Sequence, residues 1–239
     1  MENILLPSTV KFEDGEQPNE ARLIVEPCYY GYGTTIGNAL RRVLLSSLLG
    51  AAVTAVKLKG VTHEFQAVPH VKEDMLQIIL NLKDLRLRSH SDQPVKLTLK
   101  TSGERVITAG DLDPNADIEI ANPDLYLCTL TDKSAEMEME LTVEKGRGWS
   151  PTEARDHSEN ELGTIAIDAL FSPVLNVSYR VEETRVGDIT DYDRLILTIE
   201  TDGTVTPQEA VAQATKILTD NFQVIADGGA KNAQEHPIE

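Results

Sequence analysis

A helical stretch near the N-terminus, residues 36–48, constrains the fold of this chain more than any other feature. Its apolar side chains recur every three or four residues, which is the spacing of one helix face. Thr34 and Thr35 precede the stretch as possible N-terminal caps, and Gly50 follows it at the usual C-terminal position. We therefore predict an amphipathic helix whose apolar face must be buried. Its apolar positions are Ile36, Leu40, Val43, Leu44 and Leu48.

A second long helix is predicted close to the other end of the chain. Thr206 is its cap, Pro207 takes the first helical position, and Glu209 completes a capping box. An apolar stripe then follows at helical spacing, so this helix also needs a surface to cover it. The stripe consists of Val211, Ala214, Ile217, Leu218, Phe222 and Ile225.

The chain between these two helices is predicted to be rich in β-strands. Alternating apolar and polar residues, separated by glycine and proline turns, indicate strands, and residues 71–82 indicate one further helix. The opening 20 residues are polar, so we expect them to be loose. Residues 145–151 (KGRGWSP) are expected to form a basic loop. The predicted strands cover residues 21–26, 51–59, 95–99, 117–120, 137–143, 165–170, 174–182 and 194–200.

These elements predict an α+β fold with two subdomains. If the helices near the two ends pack together, the β-rich middle becomes an insertion, which close chain termini make physically easy. We expect residues 1–50 and 166–229 to form one discontinuous subdomain. Residues 51–165 would form the inserted subdomain, and residues 230–239 a disordered tail.

The composition of the 239 residues argues against several classes of function. The net charge is −17, and none of the blocks 1–50, 51–165 and 166–239 is basic overall, so we expect no direct DNA contact. No apolar run reaches the roughly 18 residues of a membrane span. The first 20 residues have no basic region followed by an apolar core, so we expect no secretory signal. Cys28 and Cys128 stand in no metal-ligand spacing and are typical of reduced thiols in a cytoplasmic protein.

Two motifs suggest chemistry, but neither is complete. His63–Glu64 begins a zinc-hydrolase pattern, yet Ala67 stands where the second histidine is needed. Residues 31–37 (GYGTTIG) resemble a phosphate-binding loop, but the third glycine is one place late for a dinucleotide fingerprint. We therefore expect a structural or surface histidine and a turn shaped by glycines. We expect no catalytic residue, metal or cofactor in this chain.

Arg41 and Arg42 lie in the middle of the first predicted helix, among apolar residues. Adjacent helical positions point about 100° apart, so the two arginines cannot have the same role. Both could lie on a solvated helix face. Alternatively, one of them could be a bidentate anchor for a carboxylate or for backbone carbonyls of a partner.

Several motifs in order give the chain a resemblance to a known family from about residue 23 to residue 225. The chain resembles the N-terminal domain of the alpha subunit of bacterial DNA-directed RNA polymerase. The segments that carry the resemblance are GYGTTIGNALRRVLLSSLLGAAVTAV, GVTHEF, VKEDMLQIILNLKDL, KGRGW, DALFSPV, RLILTIETDGT and the helix start at Pro207.

The resemblance implies a non-catalytic homodimer that nucleates assembly of the polymerase, a cytoplasmic nucleotidyltransferase complex associated with the nucleoid. It implies that one copy mainly binds the beta subunit and the other the beta-prime subunit. The dimer contact would come from the two end helices, at Ile36, Leu40, Leu218 and Phe222. The residues expected to bind the large subunits are Arg41, Arg42, Leu45, Ser46, Lys72, Glu73, Asp74, Gln77, Lys83, Lys145, Arg147, Trp149, Phe171 and Val174.

The chain departs from the family pattern in two places. It stops shortly after the last helix, so either a C-terminal DNA-binding domain has been removed or this version lacks one, and DNA binding is not transferred. A segment around Tyr29 and Tyr30 replaces a charged segment common in the family. A second hypothesis is a stand-alone dimeric interaction module or paralogue that does not bind polymerase, and a metallohydrolase is a remote third.

Overall fold

The computed structural model describes residues 4–155, 161, 163–187 and 189–228, and it confirms an α+β fold. The predicted tail, residues 230–239, lies outside the described residues. The described helices are α1 (Tyr32–Ser46), α2 (Met75–Lys83) and α3 (Pro207–Ala226). The strands are β1 (Thr9–Asp14), β2 (Glu20–Cys28), β3 (Leu49–Leu58), β4 (Leu87–Ser89), β5 (Val95–Ser102), β6 (Arg105–Thr108), β7 (Ile118–Ile120), β8 (Tyr126–Leu130), β9 (Glu136–Arg147), β10 (Trp149–Ser150), β11 (Thr164–Ala166), β12 (Ala169–Leu170), β13 (Val174–Val186) and β14 (Ile189–Thr201).

The chain divides into two compact units. Met1–Leu48 and Val174–Glu239 form the first unit, and Leu49–Pro173 forms the second. The sequence placed the later boundary after residue 165, but β11 pairs with β3 and β12 pairs with β10. These short strands therefore belong to the second unit.

The first unit is built on a four-stranded antiparallel sheet in the order β1-β2-β14-β13. Strand β1 lies within the opening residues that were expected to be loose; it pairs with β2 along its whole length. Helices α1 and α3 pack on this sheet and on each other. The core of the unit includes Leu23, Leu44, Leu195 and Ala214, which are all buried.

Helix α1 begins four residues earlier than the sequence indicated. Gly31 has a positive φ of 78° and precedes the first turn, while Thr34 and Thr35 lie inside the helix. The cap comes from a distant strand, because the carboxylate of Asp193 on β14 accepts a hydrogen bond from the Gly33 amide at 2.9 Å. Such a long-range cap leaves no local sequence signal.

The other glycines of this motif allow α1 to approach the sheet closely. A Cβ atom on Gly33 would stand 3.0 Å from the side chains of Asp193 and Val181. One on Gly37 would stand 2.7 Å from the ring of Tyr179. The turn that the sequence predicted therefore involves Gly31 alone, and the later glycines act in helix–sheet packing.

Gly50 does not end α1, which stops at Ser46. It lies in β3, where a Cβ atom would stand 1.8 Å from the carbonyl oxygen of Phe171. The residue is therefore a glycine because another backbone segment passes against it.

The second unit contains a larger antiparallel sheet in the order β5-β9-β3-β4-β7, with β11 also paired to β3. Helix α2 packs on β3 and β8 and buries Met75, Ile78 and Leu82. It begins at Met75 and not at residue 71, because Asp74 is its N-cap and accepts the Gln77 amide at 2.8 Å. Residues 145–147, expected in a loop, continue strand β9.

Replacing Asp193 by alanine should destabilise the first unit. The Gly33 amide would lose its acceptor, and the N-terminus of α1 would lose a favourable negative charge. Caps of this kind contribute about 1–2 kcal/mol. Urea unfolding of the full chain, followed by a probe in the first unit, measures this loss.

The matched control is Asp191→Ala, which removes an exposed carboxylate from the same strand. Equal stabilities of the two variants would contradict the capping role of Asp193.

Candidate functional site

The two arginines of α1 have different surroundings in the first unit. Arg41 turns towards its own sheet, where its Nε donates to the carbonyl oxygen of Val177 on β13 at 3.1 Å. The side chain of Arg42 is exposed, and within the described part of the chain it makes no ion pair. Arg41 is also exposed, but its Nε is already bonded within the first unit, so Arg42 is the freer of the two to offer its guanidinium group to another protein.

Two further predicted contact residues follow Arg42 on the same helix. Leu45 is half-buried and packs against the core of the first unit. Ser46 is exposed, and its hydroxyl donates to the Arg42 carbonyl at 2.7 Å. Of these two, Ser46 is the more accessible beside Arg42.

Helix α3 has an apolar stripe that is buried at one end and uncovered at the other. Ala210 and Ala214 are fully buried under α1 and the sheet, and Leu218 is half-buried. Phe222 and Ile225 continue the same face but are 62% and 73% exposed. A stripe that continues past its own core in this way indicates a further protein surface that would cover it.

The predicted dimer residues on α1 are less accessible than those on α3. Ile36 is half-buried against the core of the first unit, and Leu40 is only 6% exposed. Leu40 therefore contributes mainly to the fold of its own chain, and Phe222 is the most exposed of the four predicted positions.

In the second unit, the predicted contact segment before α2 contains one buried carboxylate. Glu73 is 7% exposed and accepts a hydrogen bond from the Thr129 amide at 2.8 Å. Its other carboxylate oxygen accepts the Tyr126 hydroxyl. Glu73 is thus bonded to β8, whereas Lys72, Asp74 and Gln77 are exposed beside it.

A groove of about 270 Å³ brings together the end of α2 and strands β10 and β12. Lys83, at the end of α2, lies with its Nζ 3.3 Å from the Asp168 carboxylate. Trp149 and Leu170 form a cross-strand pair beside it and are 64% and 50% exposed. Exposed apolar surface next to a charged pair is typical of protein interfaces.

Asp168 is bonded to two other segments of the second unit. It accepts the Thr152 amide at 3.0 Å as well as the Lys83 ammonium group. The Thr152 amide, and after it Lys83, hold the pKa of the Asp168 carboxyl below its usual range despite partial burial. Asp168 is therefore charged at neutral pH and forms an ion pair with Lys83.

The remaining predicted contact residues differ in their exposure. Arg147 is exposed at the end of β9, and Lys145 is half-buried in an ion pair with Asp92 at 2.7 Å. Phe171 is buried against Gly146, and Val174 is buried in the core of the first unit. The last two therefore have little surface to offer a partner.

Three residues of these surfaces could not be predicted from the sequence: Tyr126, Asp168 and Leu170. Each becomes part of a surface only through pairing between distant segments, so local periodicity carries no signal for it. The run DALFSPV did mark the neighbourhood of Asp168 and Leu170.

No assembled metal site is found among the described residues. His63 lies in an exposed turn, where its carbonyl accepts the Gln66 amide at 3.2 Å. Burial, followed by the nearby Glu73 carboxylate, raises the pKa of the Cys128 thiol to about 12, so it stays neutral and a poor nucleophile. The Asp193 carboxylate already occupies the N-terminus of α1 and would repel a phosphate there.

Among the helices that the structure describes, none has the length and apolar character needed to cross a lipid bilayer.

In a comparison with known families, residues 56–172 match the family model described as the RNA polymerase Rpb3/RpoA insert domain. The matched residues lie wholly within the second unit, Leu49–Pro173. The match supports a role as an RNA polymerase subunit of the alpha/Rpb3 type, and hence in DNA-directed transcription.

The stability of the second unit should fall at alkaline pH through Tyr126. Burial, followed by the hydrogen bond to the Glu73 carboxylate, raises the pKa of the Tyr126 hydroxyl above its ordinary value of about 10. Its contribution to stability is therefore complete below pH about 10 and is lost as the pH rises through the folded-state pKa.

Urea unfolding between pH 8 and pH 11 measures this effect. We expect Tyr126→Phe to flatten the alkaline decline, whereas Tyr30→Phe, at an exposed tyrosine, should leave it unchanged. A decline of the same steepness in wild type and Tyr126→Phe would contradict the assignment.

Proposed function

We propose that this chain, which carries an RNA polymerase Rpb3/RpoA insert domain, is a non-catalytic assembly subunit of a bacterial-type DNA-directed RNA polymerase. It acts as a homodimer that binds the beta and beta-prime subunits. The observation that carries the proposal is the family match over residues 56–172. The catalytic chemistry of transcription would then take place in the large subunits.

The uncovered half of α3 supports the dimer part of the proposal. Phe222 and Ile225 are large apolar side chains in water, and burying each would stabilise a complex by about 1.5–3 kcal/mol. The same stripe on a second copy would provide a matching apolar surface. Self-complementary patches of this kind are the usual basis of two-fold dimers.

Arg42 supports binding of a large subunit by the first unit. Its neighbour Arg41 donates to the Val177 carbonyl on β13, so this contact between helix and sheet does not depend on Arg42. An exposed guanidinium group can make a bidentate bond to a carboxylate or contact several backbone carbonyls. Arginine is enriched at the energetically dominant positions of protein interfaces.

The second unit offers a separate surface for the same purpose. Trp149 and Leu170 supply exposed apolar area, and Lys83, which is paired with Asp168, supplies a charge beside them. Lys72, Asp74 and Gln77 add exposed polar groups around the start of α2. Aromatic anchors surrounded by polar groups are a common arrangement at interfaces.

A stand-alone dimeric module is the competing function. Affinity capture of the full chain from cells of its source distinguishes the two, because polymerase subunits should dominate the bound fraction under our proposal. A dimer captured without either large subunit would overturn the polymerase role and leave only the dimer.

Two charge changes on the first unit should separate the two binding functions. Arg42→Glu should weaken binding to a large subunit by about tenfold or more, equivalent to about 1.4 kcal/mol, and leave the dimer intact. Phe222→Glu should weaken the dimer by about 30-fold or more, because a carboxylate would be buried in an apolar contact.

Sedimentation measures the affinity of the dimer. Titration with the purified beta and beta-prime subunits measures the affinity for the large subunits. Lys216→Glu is the control for Arg42→Glu, since it makes the same charge change on α3 outside the stripe. Gln213→Glu is the control for Phe222→Glu, since it also places a carboxylate at an exposed α3 position outside the stripe. Loss of the dimer in Arg42→Glu would contradict the placement of Arg42.

A further inference from the structure

Residues 70–72, which lead into α2, are bonded to the end of β8 and to Thr131, the residue that follows it. The His70 carbonyl accepts both the amide and the hydroxyl of Thr131, at 2.9 and 3.1 Å. Val71 forms an isolated bridge with Leu130, and the Lys72 amide donates to the Thr129 carbonyl at 3.0 Å. The backbone of residues 70–72 is therefore held at three consecutive positions.

Glu73 adds the side-chain bonds that complete this attachment. One carboxylate oxygen accepts the Thr129 amide at 2.8 Å, and the other accepts the Tyr126 hydroxyl. The Tyr126 hydroxyl also lies 2.7 Å from the Thr129 hydroxyl. Both oxygens of Glu73 thus have partners within the chain, and its side chain is nearly inaccessible to another protein.

Glu73 lies between two exposed residues. It is buried, whereas Lys72 before it and Asp74 after it are both exposed. Asp74 has an extended backbone, with φ −78° and ψ 168°, and caps α2 through the Gln77 amide. Because Asp74 follows Glu73 directly, the hydrogen bonds of Glu73 to β8 hold the backbone next to the N-cap of α2 and to the exposed groups of its first turn.

We propose that Glu73 is a positioning residue for the large-subunit surface of the second unit, acting through its hydrogen bonds to β8 and not as a charged contact. This inference rests on the proposed function and deepens it. Tyr126 shares the role, because it supplies one of the two donors to Glu73. The groups presented to the partner are Lys72, Asp74 and Gln77.

The chemistry of glutamine separates a positioning role from a charged contact. A glutamine at position 73 can accept the Thr129 amide with its oxygen and donate its amide group to the Tyr126 oxygen. Tyr126 can then donate to the Thr129 hydroxyl, so every bond is replaced without the charge. Alanine instead leaves the Thr129 amide and the Tyr126 hydroxyl without their acceptor.

The test compares Glu73→Gln, Glu73→Ala and Tyr126→Phe in the full chain, with purified beta and beta-prime subunits as the probes. We expect Glu73→Gln to bind within about twofold of wild type and Glu73→Ala to bind about tenfold more weakly. Hydrogen exchange of the amides in residues 70–77 should be faster in Glu73→Ala and unchanged in Glu73→Gln. Tyr126→Phe should fall between them in both measurements.

Matched controls are Glu119→Gln and Glu119→Ala, which change an exposed glutamate in the same unit. If Glu73→Ala does not fold, the milder Tyr126→Phe takes its place in the comparison. Glu73→Gln binding as weakly as Glu73→Ala would show a charged contact and overturn the inference, as would unaltered binding and exchange in Glu73→Ala.

Binding of the wild-type chain separates this inference from the proposed function on which it rests. If the wild-type chain bound neither large subunit, the proposed function would fail and the role of Glu73 in it would fail too. If wild-type binding is intact and only the Glu73 variants behave unexpectedly, the role of Glu73 alone is overturned.

Discussion

The close approach of α1 to the four-stranded sheet is the constraint on which the first unit depends. Gly33 and Gly37 leave no room for side chains between the helix and β13–β14, and Asp193 caps the helix from the sheet itself. This contact joins residues 160 positions apart. The chain between them includes Leu49–Pro173, which forms a compact unit of its own.

The buried glycines explain why a motif resembling a phosphate loop has a different role here. In a phosphate site, glycines bring backbone amides close to an anion, and the helix N-terminus stays open to it. In this chain a carboxylate of the protein already accepts the amide of Gly33, and the glycines face the sheet. The same residue types thus allow close packing within the protein in place of ligand binding.

The sequence predicted the fold class and the three helices, because periodicity reports which face of an element is buried. It missed β1, whose polar residues are paired through the backbone, and it misjudged the start of α1, whose cap lies on β14. At the candidate site it identified Lys83 and Trp149 but not Asp168, which pairs with Lys83. It also treated Glu73 as a contact, since nothing local distinguishes a buried glutamate from an exposed one.

In two pairs of adjacent, like-charged residues, the two members have different structural roles. Arg41 bonds to its own sheet while Arg42 faces outward, and Glu73 bonds to β8 while Asp74 faces outward. Adjacent side chains of a helix point about 100° apart, which gives the two arginines different surroundings. In each pair, one charged side chain bonds within its own unit and holds the backbone beside its neighbour. Adjacency in the sequence therefore couples a structural residue to an exposed one, so a variant of either must be interpreted through both.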